Sequence, residues 1–316
     1  VNGITSILGI HYPIIQGGMG NISNAILTAA VSEAGGLGTI GAGTMTADEV
    51  EKIIIETKKL TEKPFSLNVA LSVSPNPMAI LKLAVKHRLA VVTLSAGNPA
   101  PFIGKLHDEG IVVITVVASV KQAEKAEKAG ADILVAEGFE AAGINSALET
   151  TTLALIPQIL NRVNIPLVAA GGIGDGKGLA AMLCLGASGV QMGTRFIATK
   201  EAPFHDSYKQ KLLDANDHGT VIVGRSVGKI RRLLDTSYAH CLLQREAEGI
   251  TPEVFADLTT EEIHKKGALE GKEDEGFMNG GQVSGLITDI PSVAELLDRM
   301  MEEARAALSA AGNKIG

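Results

Sequence analysis

The chain of 316 residues suits one large α/β barrel or two modest domains. Hydrophobic residues make up 46% and aromatics 3%, with no tryptophan, so a core has to be built from Ile, Val, Leu and Ala, the filling of buried parallel strands. A net charge of −7 with dispersed basic residues argues against nucleic acid or an anionic membrane surface as a partner and leaves small ligands.

Residues 12–18 form a short apolar run that ends in Gly17, Gly18 and Met19, and Ser23 is placed to cap a helix running to Glu33. Residues 37–40 read as the second strand, and Thr46 with Glu49 spells a capping box for a helix to Leu60. The third strand, 65–71, carries Asn68 within it, and Pro75 and Pro77 lead into a helix through His87. The fourth strand, 90–95, ends in Ala96, Gly97 and Asn98; a helix over 100–109 and a fifth strand over 111–117 follow. A helix over 119–129 leads to the sixth strand, 133–136, which ends in Glu137 and Gly138 before an irregular loop and a helix over 152–163. The seventh strand, 167–170, opens into Gly171 and Gly172 and a helix over 176–185; the eighth, 189–192, contains Gln191 and opens into Gly193 and Thr194. Eight such alternations predict an α/β chain folded as a TIM (β/α)8 barrel rather than a doubly wound open sheet.

After Thr194 the pattern changes. Helical patterns over 208–215, 228–246 and 252–266, without a parallel strand, predict a small, mostly helical insertion before the last barrel helix, itself expected over 291–310. The expected division is a cofactor-binding barrel from 1–200 and 277–316 and a helical lid or substrate-binding subdomain from 201–276. Ile230, Leu233, Leu234, Leu242 and Leu243, at helical spacing, would fill the lid's own core or line an apolar tunnel.

In such barrels ligands bind at the carboxyl ends of the strands. Two neighbouring strands that finish at Gly171-Gly172 and Gly193-Thr194 gather free backbone N–H groups beside a hydroxyl, which suits a terminal phosphate. The small residues at the other strand ends (Gly17, Gly18, Ala96, Gly97, Gly138), with Met19, let a flat ring approach the backbone. Asn68 and Gln191 supply amides for a heteroaromatic edge, and Glu137 suits ribose-like hydroxyls or a helix cap. Together these describe a site for a phosphorylated planar cofactor. The histidines follow no metal-ligand spacing, so no metal is expected, and neither a GxSxG elbow nor a GxxxxGK loop occurs. A sugar-phosphate isomerase or aldolase would call for a lysine or a carboxylate pair at the strand ends, which offer only Glu137. Cys184 and Cys241 assemble neither a disulfide framework nor a metal motif, and no leader or membrane span is legible, so a soluble cytoplasmic protein is expected.

The segments QGGM, AGGLGTIGAG, PFSLNVAL, SAGNP, AEGFEAAG, VAAGGIGDGKG, GVQMGTRFIATKEA and GGQVSGL, in this order along nearly the whole chain, resemble the nitronate monooxygenase (2-nitropropane dioxygenase) family. That group includes FMN-dependent enoyl-acyl-carrier-protein reductases and NAD(P)H:quinone reductases. The resemblance implies an FMN whose phosphate sits on Gly171, Gly172, Gly193 and Thr194, with its ring near Gly17, Gly18, Met19, Asn68, Ala96, Glu137 and Gln191. It also implies NADH or NADPH as a candidate electron donor and a nitronate, enoyl thioester or quinone as substrate; a homodimer is left open. One position departs from the pattern. Many members carry a histidine with a proton-handling role just after the EGxEAGG motif, and here Ile144 occupies that place. Asn145, Ser146 and His205 are the candidates to compensate, His205 equally being an anchor between lid and barrel. The leading expectation is therefore FMN-dependent oxidation of nitronates, which need little acid–base help, ahead of NAD(P)H-dependent enoyl or quinone reduction. A flavin-binding protein without catalysis is the reading of another class.

Overall fold

Short apolar segments, each followed by a helix, pair side by side in parallel until the first meets the second. A computed structural model describes residues 3–315. Its strands in chain order are β1 (Ile14–Gln16), β2 (Gly38–Gly41), β3 (Phe65–Ala70), β4 (Val91–Ser95), β5 (Val112–Val117), β6 (Ile133–Glu137), β7 (Gly143–Ile144), β8 (Leu167–Ala170), β9 (Gly189–Met192), β10 (Thr220–Val223) and β11 (Arg231–Leu234). Eight of them form the parallel sheet β1-β9-β8-β6-β5-β4-β3-β2, and a parallel bridge between Ile15 and Leu37 brings its two edges together. This is the TIM (β/α)8 barrel that the alternation predicts.

Inside the barrel, Ile15, Leu37, Val91, Ile114, Ile133 and Val168 form one buried cluster, and a helix over Ile4–Leu8 adds Ile4 and Leu8 to it. A Cβ on Gly189, at the amino end of β9, would lie 2.5 Å from Ile4 Cδ1, so this glycine makes room for the plug. The sequence reading assigned no element there. The last helix, Val293–Ile315, packs on the helix Gly176–Cys184, where a Cβ at Gly176 would meet the Met300 carbonyl at 2.3 Å.

Of the two expected helix caps, one changes. The capping box of Thr46 and Glu49 is present and opens the helix Ala47–Leu60. Ser23, however, is not a cap: Asn24 accepts from Leu27 N at 2.9 Å and opens the helix Ala25–Glu33. The Ser23 hydroxyl instead accepts from Gly41 N at 2.9 Å, tying the loop after β1 to the end of β2.

The expected helix over 228–246 is divided. Its first part is β11, antiparallel to β10, and only Ser237–Ala247 is helical, capped by Thr236. Leucine spacing alone did not separate the two periods, but Gly224 and Gly228, at φ 82° and 68°, form a turn, and TVIV before it is a β-favouring partner. β7, in the supposedly irregular loop after β6, adds a third strand through Arg231↔Ile144. Val223, Leu233, Tyr238, Leu242, Phe255 and Phe277 form a separate buried cluster, so Leu233 and Leu242 fill a core here. Ile230 and Leu234 are buried as well.

Candidate functional site

The carboxyl ends of the barrel strands open into a cleft of ≈ 1170 Å³ roofed by segments from 208–281. That exceeds the space one small ligand needs and leaves room for a cofactor with a substrate beside it. Of the residues expected to hold a cofactor, all but Gly138 line the cleft. A Cβ on Gly138 would fall 2.1 Å from Thr152 Oγ1; this glycine lets the loop after β6 pass the start of the helix Thr152–Leu160.

At one end the lining is backbone. Gly171 and Gly172 take φ values of 103° and 73°, and Gly193 begins the short helix Thr194–Ile197. Among the described residues the N–H groups of Gly171, Gly172, Gly193 and Thr194 donate to no protein acceptor. The Thr194 hydroxyl accepts from Gly281 N at 3.0 Å, which leaves its own proton free to donate. Nothing lies within 4 Å of a Cβ placed on Gly193. Unpaired donors around open space are what an oxyanion such as a phosphate requires, so these residues fit the terminal phosphate of the expected cofactor.

Along the floor the glycines are dictated by amides. A Cβ on Gly17 would touch the Gln191 side chain at 3.4 Å, and one on Gly18 would meet Asn68 Cβ at 2.8 Å. Gln191 makes no side-chain hydrogen bond among the described residues, whereas Asn68 Oδ1 accepts from Ser95 Oγ at 3.3 Å. Ala96 holds a left-handed backbone, φ 47°, at the end of β4, a conformation costing roughly 1 kcal/mol for a residue with a Cβ. Burial pushes the Glu137 carboxyl up to about 7. Floor and phosphate end together match a flat ring carrying a phosphate.

The roof holds the residues that pattern reading missed. His264, 2% exposed, stacks on Phe277 with ring centroids 5.0 Å apart. Its Nδ1 lies 3.4 Å from Glu261 Oε2 and its Nε2 3.2 Å from Asn279 Nδ2. With the ring proton on Nδ1, toward Glu261, the Asn279 amide donates to Nε2. Glu261 Oε2 also accepts from Asn21 N at 3.2 Å, so this carboxylate joins the roof to the loop after β1. Burial acts to raise the Glu261 carboxyl, but the hydrogen bond from His264, the Asn21 N–H and the Arg231 charge together hold it below the ordinary value. Tyr208 donates its hydroxyl to the Asn279 carbonyl at 2.5 Å, and Asn279 Oδ1 is buried without a partner.

Ile144 lines the cleft, 52% exposed, and a Cβ on its neighbour Gly143 would lie 3.7 Å from Asn279 Cγ. Asn145 also lines the cleft, but its Nδ2 donates to the carbonyls of Ala141 at 2.9 Å and Gly143 at 3.3 Å, and its N–H to Ile230 O. It serves the shape of the loop. His205 is not in the lining; its Nδ1 accepts from Ser207 N at 3.1 Å as the cap of the helix Asp206–Asp214, and its N–H donates to the Ala268 carbonyl. Among the described residues no group of three or more His, Cys, Asp or Glu is placed to hold a metal ion, and no helix is long and apolar enough to cross a membrane.

The family model described as nitronate monooxygenase matches residues 2–80 and 76–303. A "probable nitronate monooxygenase" of Staphylococcus haemolyticus is 33% identical, covering 98% of this chain and 98% of its own length. A "(3aS,4S,5R,7aS)-5-hydroxy-7a-methyl-1-oxo-octahydro-1H-indene-4-carboxyl-CoA dehydrogenase" of Rhodococcus jostii is 31% identical over 98% of this chain and 97% of its own. The solved structure of FabK from Thermotoga maritima superposes with a TM-score of 0.93 at 39% identity, covering 100% of both chains.

Proposed function

Because the chain belongs to the nitronate monooxygenase family and is an oxidoreductase by that membership, we propose that the cleft holds FMN and oxidises small nitronates. The observation that carries the cofactor is the cradle of four unpartnered N–H groups at the ends of β8 and β9, aligned with the amide-flanked floor of Gly17 and Gly18. FMN bound there would supply hydride acceptance at its N5 and return electrons to a second acceptor. The protein's own residues position it. Gly171, Gly172, Gly193 and Thr194 hold the phosphate; Asn68 and Gln191 bond the ring edge; Gly17 and Gly18 allow the ring to approach the backbone. The hairpin and helices of 201–276 act as the lid that keeps bulk water from the ring, with Glu261 as its contact to the loop after β1.

Nitronates enter the ranking ahead of other substrates through Ile144. A neutral nitroalkane must lose its α-proton to a general base, and an isoleucine at this cleft position supplies none; a nitronate is already the carbanion equivalent. The second reading, reduction of an enoyl thioester, draws on the 39% identity to FabK and on the CoA-thioester name of the Rhodococcus relative. Anaerobic titration of the purified protein separates them. Flavin absorbance bleached by an alkyl nitronate and by neither NADH nor NADPH supports the first reading; bleaching by a pyridine nucleotide alone replaces it with the second. A protein that retains no flavin at all removes both.

A further inference from the structure

Arg231 and Arg232 are consecutive residues of β11 and so project to opposite faces of the small sheet. Arg232 is fully engaged. Its Nε and Nη2 donate to the Phe139 carbonyl at 3.1 and 3.0 Å, its Nη1 donates to Thr220 Oγ1 at 3.1 Å, and its Cζ lies 4.9 Å from the Phe139 ring centroid. Arg231 lines the cleft and, among the described residues, its guanidinium donates no hydrogen bond and has no carboxylate within 4.0 Å. Its Cζ lies over the Phe277 ring, 5.7 Å from the centroid. Burial pushes its pKa down, and the carboxylate that pushes back, Glu261, already receives Asn21 N and faces His264.

A half-buried guanidinium with no protein acceptor is left to solvent in the open cleft, and an anion that displaces that solvent gains charge-assisted hydrogen bonds there. The other polar groups of this roof are not hydrogen-bonded to it. Tyr208 spends its hydroxyl on Asn279, and Asn279 presents its second amide function beside Gly143, next to the strand partner of Arg231. The four backbone N–H groups at the ends of β8 and β9 are a separate set of donors, and Arg231 is not one of them. Two parallel N–H groups on a rigid plane match two coplanar oxygens, and one positive charge matches one negative charge.

We propose that Arg231 receives a planar two-oxygen monoanion, a nitronate or carboxylate, at the roof of the cleft and thereby selects the substrate class. The proposal rests on the reading of the cleft as an FMN site with a substrate beside the ring. Nitrate, a planar monoanion of similar shape, is the probe: it is titrated into the flavin-loaded protein and followed by calorimetry and by the flavin difference spectrum, with inorganic phosphate titrated in parallel. Saturable nitrate binding is expected, weakened at least tenfold in Arg231→Met and about threefold in Arg231→Lys, with flavin content unchanged in both. The Lys variant keeps a charge at the position, so it remains informative where the Met variant folds poorly. Nitrate that does not bind, binds Arg231→Met as well as the parent, or binds more weakly than phosphate at the same residue overturns the assignment. A protein purified without flavin removes the cofactor reading, whereas the heat of nitrate binding still reports on Arg231; the two failures are therefore distinct.

Discussion

The two ends of the cleft are built from different materials. At the ends of β8 and β9 the lining is main chain: four N–H groups released by glycines, at positions set by strand register. At the roof it is side chain, with Arg231, Glu261, His264 and Asn279 drawn from a strand, a helix and the loop that returns to the barrel. Gly171 and Gly172 tolerate little change because each is fixed by a positive φ and by the space a Cβ would take, whereas Gly193 is open on both counts. A side-chain site can be altered one group at a time. The first kind suits a cofactor shared across a family, the second a substrate that differs between members.

Breaking the main-chain end is expected to have the largest effect. Gly171→Asp would place a Cβ 2.8 Å from Thr152 Oγ1, so lost flavin there could come from misfolding. Gly193→Asp is cleaner, because its backbone is not left-handed and its Cβ enters open space beside the free N–H groups. A carboxylate facing the phosphate should weaken FMN retention at least ~100-fold, about 3 kcal/mol, with the circular dichroism spectrum unchanged. Undiminished flavin content after gel filtration would move the phosphate elsewhere.

The same contrast explains what the sequence disclosed. Gly171-Gly172 and Gly193-Thr194 were legible because a main-chain site leaves glycines at fixed offsets from strand ends, and the apolar runs around them repeat eight times. Arg231 and His264 were not. Arg231 lay within a stretch whose leucine spacing reads as a helix, and only strand pairing with Ile144 turns it toward the cleft. His264 was one of several scattered histidines, and its partner Asn279 lies 15 positions away on a different element. Ser23 failed for a local reason, since Ser and the adjacent Asn24 are both good caps and the choice was made by the Gly41 N–H that claims the serine hydroxyl. The signal available for the roof was weaker: a lone Arg-Arg pair just after a glycine turn.

Ile144→His tests whether the roof accepts a base at the position where the family pattern has one. The side chain faces the cleft and is half-exposed, so imidazole fits without repacking. Turnover of a neutral nitroalkane should rise about thirtyfold, below the 10²–10⁴ of a fully positioned base, while turnover of the preformed nitronate changes less than about twofold. Equal gains on both would show that proton abstraction is not what the isoleucine withholds.

Glu261→Ala cuts the contact between the roof and the loop after β1. It removes the acceptor of the half-buried Asn21 N and the partner of the buried His264 Nδ1. Hydrogen exchange at the Asn21 amide should accelerate about tenfold, the equivalent of ~1.4 kcal/mol of local stability. Unchanged exchange would mean that the roof is held to this loop by its remaining contacts alone.

Glu137, on the floor between the two ends, is tested by pH rather than by the loss of a contact. Burial raises its folded pKa to about 7 from the ordinary 4.5, so the folded state binds its proton more tightly than the unfolded chain does. The stability that this proton supplies is complete below pH 4.5 and is lost as the pH rises through about 7. Glu137→Gln keeps a neutral group of the same shape at every pH and so escapes the loss. The difference in Tm between the variant and the parent should grow in the variant's favour from pH 5 to pH 8, by about 3 °C for each ~1 kcal/mol. A difference that stays level across that range would mean that solvent in the cleft reaches the carboxylate, and that the floor is wetter than its burial implies.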